Sequence, residues 1–439
     1  MSFEEILKIV SDQEIPTIRL WFTDILGQIR GFSITPRELP DALESGLGFD
    51  GSSVEGFARI HESDLMAFPD PNTFKILPGE MDGGKSAVMF CDLKTPEGQP
   101  YEGDTRYVLR RNLEKIAKEG YTCYLGPELE YFYFKDEHTP VVLDEVGYFD
   151  ASAVSVGSIL RQKTVNALEG IGIDVEYSHH EVASSQHEID LRFDEALAMA
   201  DKVITYRFLV KEVARQNGYF ATFMPKPIFG INGSGMHAHQ SIFKGDKNLF
   251  FAPNEEYHLS KFGQSYIAGI LKHIREFTAI LNQWVNSYKR LVPGYEAPVY
   301  VSWGQKNRSA LVRVPRIRIG HEKATRAELR SADPACNPYL AFSVMLAAGM
   351  KGVKENYTLP PAIEENIYEM TPIDRLDKKI GVLPGDLFEA IQEMQGSQLV
   401  RETLGDHVFQ KFIANKLIEW DNYRCVVSQW ELEKYLPVM

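Results

Sequence analysis

Several short stretches of this chain place acidic, imidazole or guanidinium groups at alternate positions, with apolar residues between them. Gly126-Pro127-Glu128-Leu129-Glu130-Tyr131-Phe132 sets two carboxylates two residues apart, and Gly235-Met236-His237-Ala238-His239-Gln240-Ser241 sets three polar groups two apart. Arg326-Ala327-Glu328-Leu329-Arg330 alternates cation, anion and cation. His179-His180-Glu181 and His187-Glu188-Ile189-Asp190 flank a short polar turn, and the stretches 286–298 and 307–313 add Arg290, Glu296, Arg308 and Arg313. Residues i and i+2 of a β-strand share a face. Each stretch therefore predicts a packed strand with one polar face. Several such faces around one cavity would gather carboxylates, imidazoles and arginines, a mixture suited to divalent cations together with phosphates.

The 439 residues are enough for two or three domains, or for one large domain with an appendage. A net charge of -14 argues against nucleic acid as a partner, because phosphate backbones demand a basic face. The arginines from Arg290 to Arg330 can still form a local anion site. Cys91, Cys123, Cys336 and Cys425 are scattered without a CxxC pair, which argues against a zinc ribbon or a dithiol site and predicts a reducing, cytoplasmic setting. The first ten residues are acidic and helical in pattern, unlike a signal peptide. The longest apolar run, Tyr339 to Met350, is too short for a bilayer and predicts a buried helix, so no membrane partner is expected.

The pattern predicts a helix over 3–13, two strands over 17–23 and 28–34, a helix near 36–44 and strands near 73–78 and 86–93. Phe49 to Phe57 reads as a glycine-rich loop carrying Asp50. The proline-containing stretch 95–103 is the best linker, and a helix capped by Asp104 or Thr105 follows it. Gly79-Glu80-Met81-Asp82-Gly83-Gly84-Lys85-Ser86 matches the GxxxxGKS phosphate loop, but that loop must open a helix. Ser86 to Leu93 reads as a strand instead, and two acids would sit inside the anion cradle, so a hairpin connection is the better reading.

Each candidate has a plainer reading beside the functional one. Glu128 and Glu130 could form a solvent-facing acidic edge, but Leu125, Leu129, Tyr131, Phe132 and Phe134 argue for a buried strand, where two carboxylates repel unless a cation joins them. Glu181 and Glu188 lie seven apart, so a straight strand would point them to opposite faces; a turn at Ser184-Ser185 would let them converge. His179, His180 and His187 read best as ordinary hydrogen-bonded histidines. His237 follows a glycine-rich approach, and the ligand and structural readings both stand. The arginines read either as a solvated basic surface or, with Glu328 between Arg326 and Arg330, as a charged interior that clamps phosphate and a carboxylate.

The segments FDGSSVEGF, GPELEYF, HHEVASSQHEID, KPIFGINGSGMHAHQS, NSYKRLVPGYEAP and RAELRSADPACNPY resemble the motifs of type I glutamine synthetase, in order and over essentially the whole length. The resemblance implies ATP-dependent synthesis of glutamine from glutamate and ammonia through γ-glutamyl phosphate, a step of nitrogen assimilation. It implies ATP as co-substrate and two to three Mg2+ or Mn2+ ions. Glu130, Glu181 and Glu188 would hold the metal on the glutamate side, and Glu128, His237 and Glu328 the metal bridging the ATP phosphates. Asn232, Gly233, Arg290, Arg308 and Arg330 would bind substrate. Arg308 and Arg313 would face the phosphates, while Glu176, His239 and Ser241 would contact the nucleotide and Arg326 would also meet ATP. Asp50, supplied by a neighbouring subunit, would bind ammonium and take its proton. Glu296 would sit on a flap that closes the site.

The fold implied is α+β: a small β-grasp-like N-terminal domain over 1–102 and a large catalytic domain over 103–439 with a curved antiparallel sheet, of the glutamine synthetase/guanido kinase-like kind. The implied assembly is a homo-dodecamer of two hexameric rings with active sites between subunits, and small regulatory proteins are further candidate partners. Asn366-Ile367-Tyr368-Glu369-Met370-Thr371 departs from the NLYDLP pattern of the adenylylated subclass, which favours the alpha subclass. Arg59 is a candidate relay of glutamine feedback. The nearest rival is a γ-glutamyl ligase that takes an amine; a non-catalytic relative should have lost metal ligands, and none is missing.

Overall fold

The computed structural model describes residues 1–52, 54, 64–79, 84–151, 155–318 and 320–439. Arg59, and Glu80 to Gly83 of the phosphate-loop look-alike, lie outside the described residues. The strands, in chain order, are β1 Thr17–Thr23, β2 Ile29–Ile34, β3 Leu47–Asp50, β4 Asp64–Pro69, β5 Lys75–Ile76, β6 Ser86–Lys94, β7 Thr122–Phe134, β8 Val175–His180, β9 Gln186–Leu191, β10 Asp194–Glu195, β11 Phe220–Thr222, β12 Met236–Lys244, β13 Lys247–Asn248, β14 Tyr300–Val301, β15 Trp303–Gly304, β16 Val312–Arg313, β17 Ala327–Leu329 and β18 Gly381–Val382.

Among the described residues, the N-terminal part is a sheet in the order β2-β1-β6-β4-β3, with β5 also on β6. β1 and β6 run parallel; the other pairs are antiparallel. Alternation puts Ile18, Leu20, Met89 and Cys91 on one buried face, against Ile6 and Val10 of the helix Phe3–Asp12 and Leu39 and Leu43 of the helix Leu39–Ser45. Ser2 and Glu5 close a capping box at the start of the first helix. Ser86 opens β6, and no helix follows Lys85, so the hairpin reading of the phosphate-loop look-alike holds. This is a β-grasp domain.

The larger part is built on a curved sheet in the order β15-β16-β17-β12-β7-β9-β8, with β10 and β11 also on β7 and β13 on β12. One face is apolar: Leu125, Leu129, Tyr131, Ile189 and Ala238 join the main core with the helices Ala196–Gln216, Lys261–Leu281 and Pro338–Lys354. The last of these is the expected buried helix, capped by Asn337. The opposite face carries the alternating polar residues. Asp104 caps the helix Thr105–Ala117, whose Arg106 reaches Asp70, Asp92 and Asp201 and so ties both parts together. No helix of the described residues is long and apolar enough to cross a membrane.

Candidate active site

The register of the curved sheet assembles the site. β12 pairs β7 with His237 opposite Glu128 and pairs β17 with His239 opposite Glu328. β7 pairs β9 with Glu128 opposite Asp190 and Glu130 opposite Glu188. β8 places His179 opposite Glu188, and β16 places Arg313 opposite Glu328. Directly paired residues share a face, so the polar groups of these six strands form one surface; Arg290 and Arg308, expected on strands, come instead from the short helix Ser287–Arg290 and from a turn. The turn between β8 and β9, with Ser185 at φ 58, brings Glu181 back toward Glu188, as the seven-residue spacing required.

A cavity of about 710 Å³ opens on this surface. Glu128, Glu130, Glu181, Glu188, Asn232, Gly233, His237, Arg290, Glu296, Arg308, Arg313, Glu328 and Arg330 all line it. Glu176, His239, Ser241 and Arg326 line a neighbouring cavity of about 250 Å³ that shares Glu128 and Tyr177 with the first. Asp50, at the exposed end of β3, lines neither, and its carboxylate accepts a hydrogen bond from the Ser52 amide at 2.8 Å.

Two acidic clusters differ in charge balance. Glu130, Glu181 and Glu188 offer three carboxylate oxygens within 4.8 Å of one another. Burial, then the Glu130 charge, pushes Glu181 up to about 9. Burial, then Asp190 and Glu130, pushes Glu188 well above the ordinary carboxylate range, and burial raises Glu130. Glu130 is held in place by the Gly235 amide and the Gln186 side chain, both at 2.9 Å. This hard-oxygen set is under-neutralised by the protein itself and fits a divalent cation.

The second cluster is compensated. His237 Nδ1 lies 3.1 Å and His239 Nε2 2.6 Å from the Glu128 carboxylate. Burial opposes ionisation there, yet the two imidazoles hold Glu128 well below the usual range. Glu328 is also buried, but His239, His237, Arg330 and Arg313 keep it low. Arg313 donates to it at 2.5 Å and Arg330 lies 3.2 Å away. Arg326 donates to His239 Nδ1 at 3.1 Å, which puts the imidazole proton on Nε2, facing Glu128. Glu128, His239 and Glu328 offer ligand atoms within 4.8 Å of one another, and His237 Nδ1 stands 3.1 Å from Glu128 and 3.8 Å from Glu328, so this second set could also hold a divalent cation through either imidazole.

Arg290 is buried and donates to the carbonyls of Ser331, Ala332 and Arg330 at 2.8 to 3.1 Å, which fixes its guanidinium at the cavity wall. A Cβ at Gly235 would fall 2.5 Å from that guanidinium, and one at Gly233 would fall 2.2 Å from the Pro225 carbonyl. Glycine is what lets Arg290 pass close beneath the loop. Asn232 donates to Glu296 at 2.9 Å, so the loop bearing Glu296 reaches across the cavity mouth.

Of the three histidines expected to be ordinary, two lie behind the site. His180 meets Asp144 at 2.9 Å and His187 meets Arg161 at 2.8 Å. His179 stands among the carboxylates, 3.2 Å from Glu188 and 3.4 Å from Glu181. Sequence reasoning also missed Tyr148, Tyr177, Asp190, Lys306, Glu364 and Tyr368. Asp190 continues the alternation of Glu188 and was the one with a readable signal; burial and Glu128 raise it to about 7.

The family model for the catalytic domain of glutamine synthetase matches residues 102–435, and the one for the glutamine synthetase beta-grasp domain matches residues 14–96. The glutamine synthetase of Mycobacterium tuberculosis (strain ATCC 25618 / H37Rv) is 49% identical over 441 residues, covering 99% of each chain. A solved structure of GmaS in complex with ADP superposes with TM-score 0.89 at 28% identity, over 98% of this chain and 99% of that one. The cryo-EM structure of Plasmodium falciparum glutamine synthetase gives TM-score 0.88 at 24% identity, over 99% of each chain, a likeness of fold.

Proposed function

This chain belongs to the glutamine synthetase family, and on that premise we propose how its own residues divide the work. The reaction is the ADP-forming ligation of glutamate and ammonia to glutamine. The observation that carries the assignment of roles is the convergence of two acidic clusters and four arginines, Arg290, Arg308, Arg313 and Arg330, on one cavity.

Glutamate binds against Asn232, Gly233, Arg290 and Arg330. ATP occupies the neighbouring cavity at Glu176, His239, Ser241 and Arg326, with its phosphates directed toward Arg313 and Arg308; the ADP held by GmaS in the same fold supports a nucleotide here. Glu130, Glu181 and Glu188 would hold one divalent ion and Glu128, His237 and Glu328 another, of the two to three Mg2+ or Mn2+ ions the reaction would use. When bound, these ions neutralise phosphate charge and orient the reacting oxygens. The glutamate γ-carboxylate attacks the γ-phosphorus, the bond to ADP breaks, and Arg308 and Arg313 meet the charge that develops on the transferred group. Glu296 closes the mouth and keeps water from the acyl phosphate. Asp50 of a neighbouring subunit takes a proton from ammonium. The resulting ammonia attacks the acyl carbon, and phosphate leaves.

The alpha subclass, a cytoplasmic dodecamer of two hexameric rings and a domain division at residues 102/103 belong to the same proposal. The family stretches 14–96 and 102–435 support that division. Phosphate release from ATP with glutamate and Mg2+, with and without ammonium, tests the reading when glutamine is quantified in parallel. Ammonium-dependent phosphate release matched by glutamine is expected. Turnover only with an organic amine would overturn it.

A further inference from the structure

We propose that Tyr368 is a positioning residue that locks the Glu296 flap to the wall carrying Arg308. The inference rests on the reading of the site given above and adds a residue to its machinery.

Glu296 sits at φ 58, a left-handed conformation uncommon outside glycine and costly to hold. Two contacts hold it there. On one side Asn232 donates to the Glu296 carboxylate at 2.9 Å. On the other the Tyr368 hydroxyl donates to the carbonyl of Ala297, the next residue, at 2.7 Å. Tyr368 itself lines the cavity and packs on Tyr300, over which Arg375 stacks at 4.9 Å.

The segment that carries Tyr368 also grips the loop before and after Arg308. Glu364 accepts from the amides of Gln305 and Lys306 at 2.8 Å each. Asn307 donates to the carbonyls of Ile363 and Glu365 at 2.9 and 2.6 Å. The Ile367 amide donates to Ser309 at 3.2 Å. One short strap therefore holds both the flap root and the loop that presents Arg308. The consequence is chemical. Arg308 can engage the phosphoryl group only in the arrangement in which Glu296 covers it, so the acyl phosphate forms behind a closed mouth. Without the Tyr368 hydroxyl the two loops uncouple, and water attacks the acyl carbon in place of ammonia, returning glutamate and releasing phosphate.

Tyr368→Phe removes the hydroxyl and keeps the ring. The expected result is an excess of phosphate over glutamine at saturating ammonium, with the hydrolysis-to-synthesis ratio raised on the order of five-fold, the factor one lost hydrogen bond supplies. KM for ATP should stay within about two-fold, and hydrogen exchange should quicken at the amides of Tyr295, Glu296 and Ala297. A wild type that forms glutamine with matched phosphate, beside a Tyr368→Phe enzyme with the same ratio and the same exchange, overturns this inference alone. Phosphate and glutamine that fall together in the variant, at an unchanged ratio, overturn it too, since that is what mere loss of folded enzyme gives. A wild type that makes no glutamine from ammonium overturns the reading of the site itself.

Discussion

Glu130 and Glu188 stand directly opposite one another on the adjacent antiparallel strands β7 and β9, and both line the cavity. Like charges in that position destabilise a sheet, and Glu181 brings a third carboxylate oxygen within 4.8 Å. Without metal, burial and then mutual repulsion move Glu181 from 4.5 to about 9 and Glu188 well upward. The folded chain therefore holds more protons than the unfolded one across that window, so stability falls as pH rises through it. Thermal melts in a chelator should show Tm declining from about pH 5 to about pH 9, and saturating Mn2+ should flatten the decline. A chelated protein whose Tm rises or stays level over that range would contradict this balance.

The same crowding makes a ligand carboxylate a cost to the metal-free protein. Glu188→Gln keeps shape and removes a charge. It should raise metal-free stability near pH 8, because burial and the neighbouring Asp190 and Glu130 carboxylates disfavour the charged form of Glu188. It should also weaken Mn2+ binding by at least about ten-fold and depress synthesis. Melting curves in chelator beside Mn2+ titration calorimetry separate the two effects, and a less stable metal-free variant would show that the cluster is not repulsive.

The polar face was readable because alternation is a local signal. Glu128, Glu130, His237, His239 and Glu328 were each placed by two-residue spacing, and the strands β7, β12 and β17 bear it out. Convergence of Glu181 with Glu188 was readable from Ser184-Ser185 between them. Strand β4, by contrast, carries Asp64 to Pro69 with little to mark it, and its pairing with β3 and β6 is set by tertiary contact. Tyr148, Lys306 and Glu364 line the cavity from aperiodic loops, whose positions depend on long-range bonds such as those of Glu364 to the 305–306 amides. Tyr368 lay in a stretch noticed for its departure from a subclass motif, yet its place in the cavity wall follows from a contact with Ala297, 71 positions away.

Arg106 joins the two parts of the chain through three carboxylates. Its guanidinium lies 2.8 Å from Asp70, 2.5 Å from Asp92 and 2.9 Å from Asp201, and the side chain is nearly inaccessible. Asp70 and Asp92 belong to the N-terminal part and Asp201 to the helix Ala196–Gln216. Removing Arg106 strands Asp201, while Arg110 still meets Asp70 and Asp92, and breaking such a buried ion pair costs about 3–5 kcal/mol. Arg106→Met should lose that much in urea denaturation, and the additional change Asp201→Asn should recover part of it. Loss of less than about 1 kcal/mol would mean that solvent replaces the guanidinium.

Asp50 ends β3, is exposed, and lines neither cavity of its own chain. If a neighbouring chain supplies this carboxylate, Asp50→Ala should depress ammonium-dependent synthesis by about 10²–10⁴-fold, the usual weight of a positioned base. ATP binding should be unchanged. Glu328→Ala would disable the cavity while leaving Asp50 intact. Each variant alone should be nearly inactive, but oligomers assembled from both should regain activity, because some interfaces then join an intact Asp50 to an intact cavity. Co-expression with two affinity tags and sequential purification isolates such mixed assemblies. Mixed oligomers no more active than either parent would place the Asp50 function within its own chain, and full synthesis by Asp50→Ala alone would remove the role altogether.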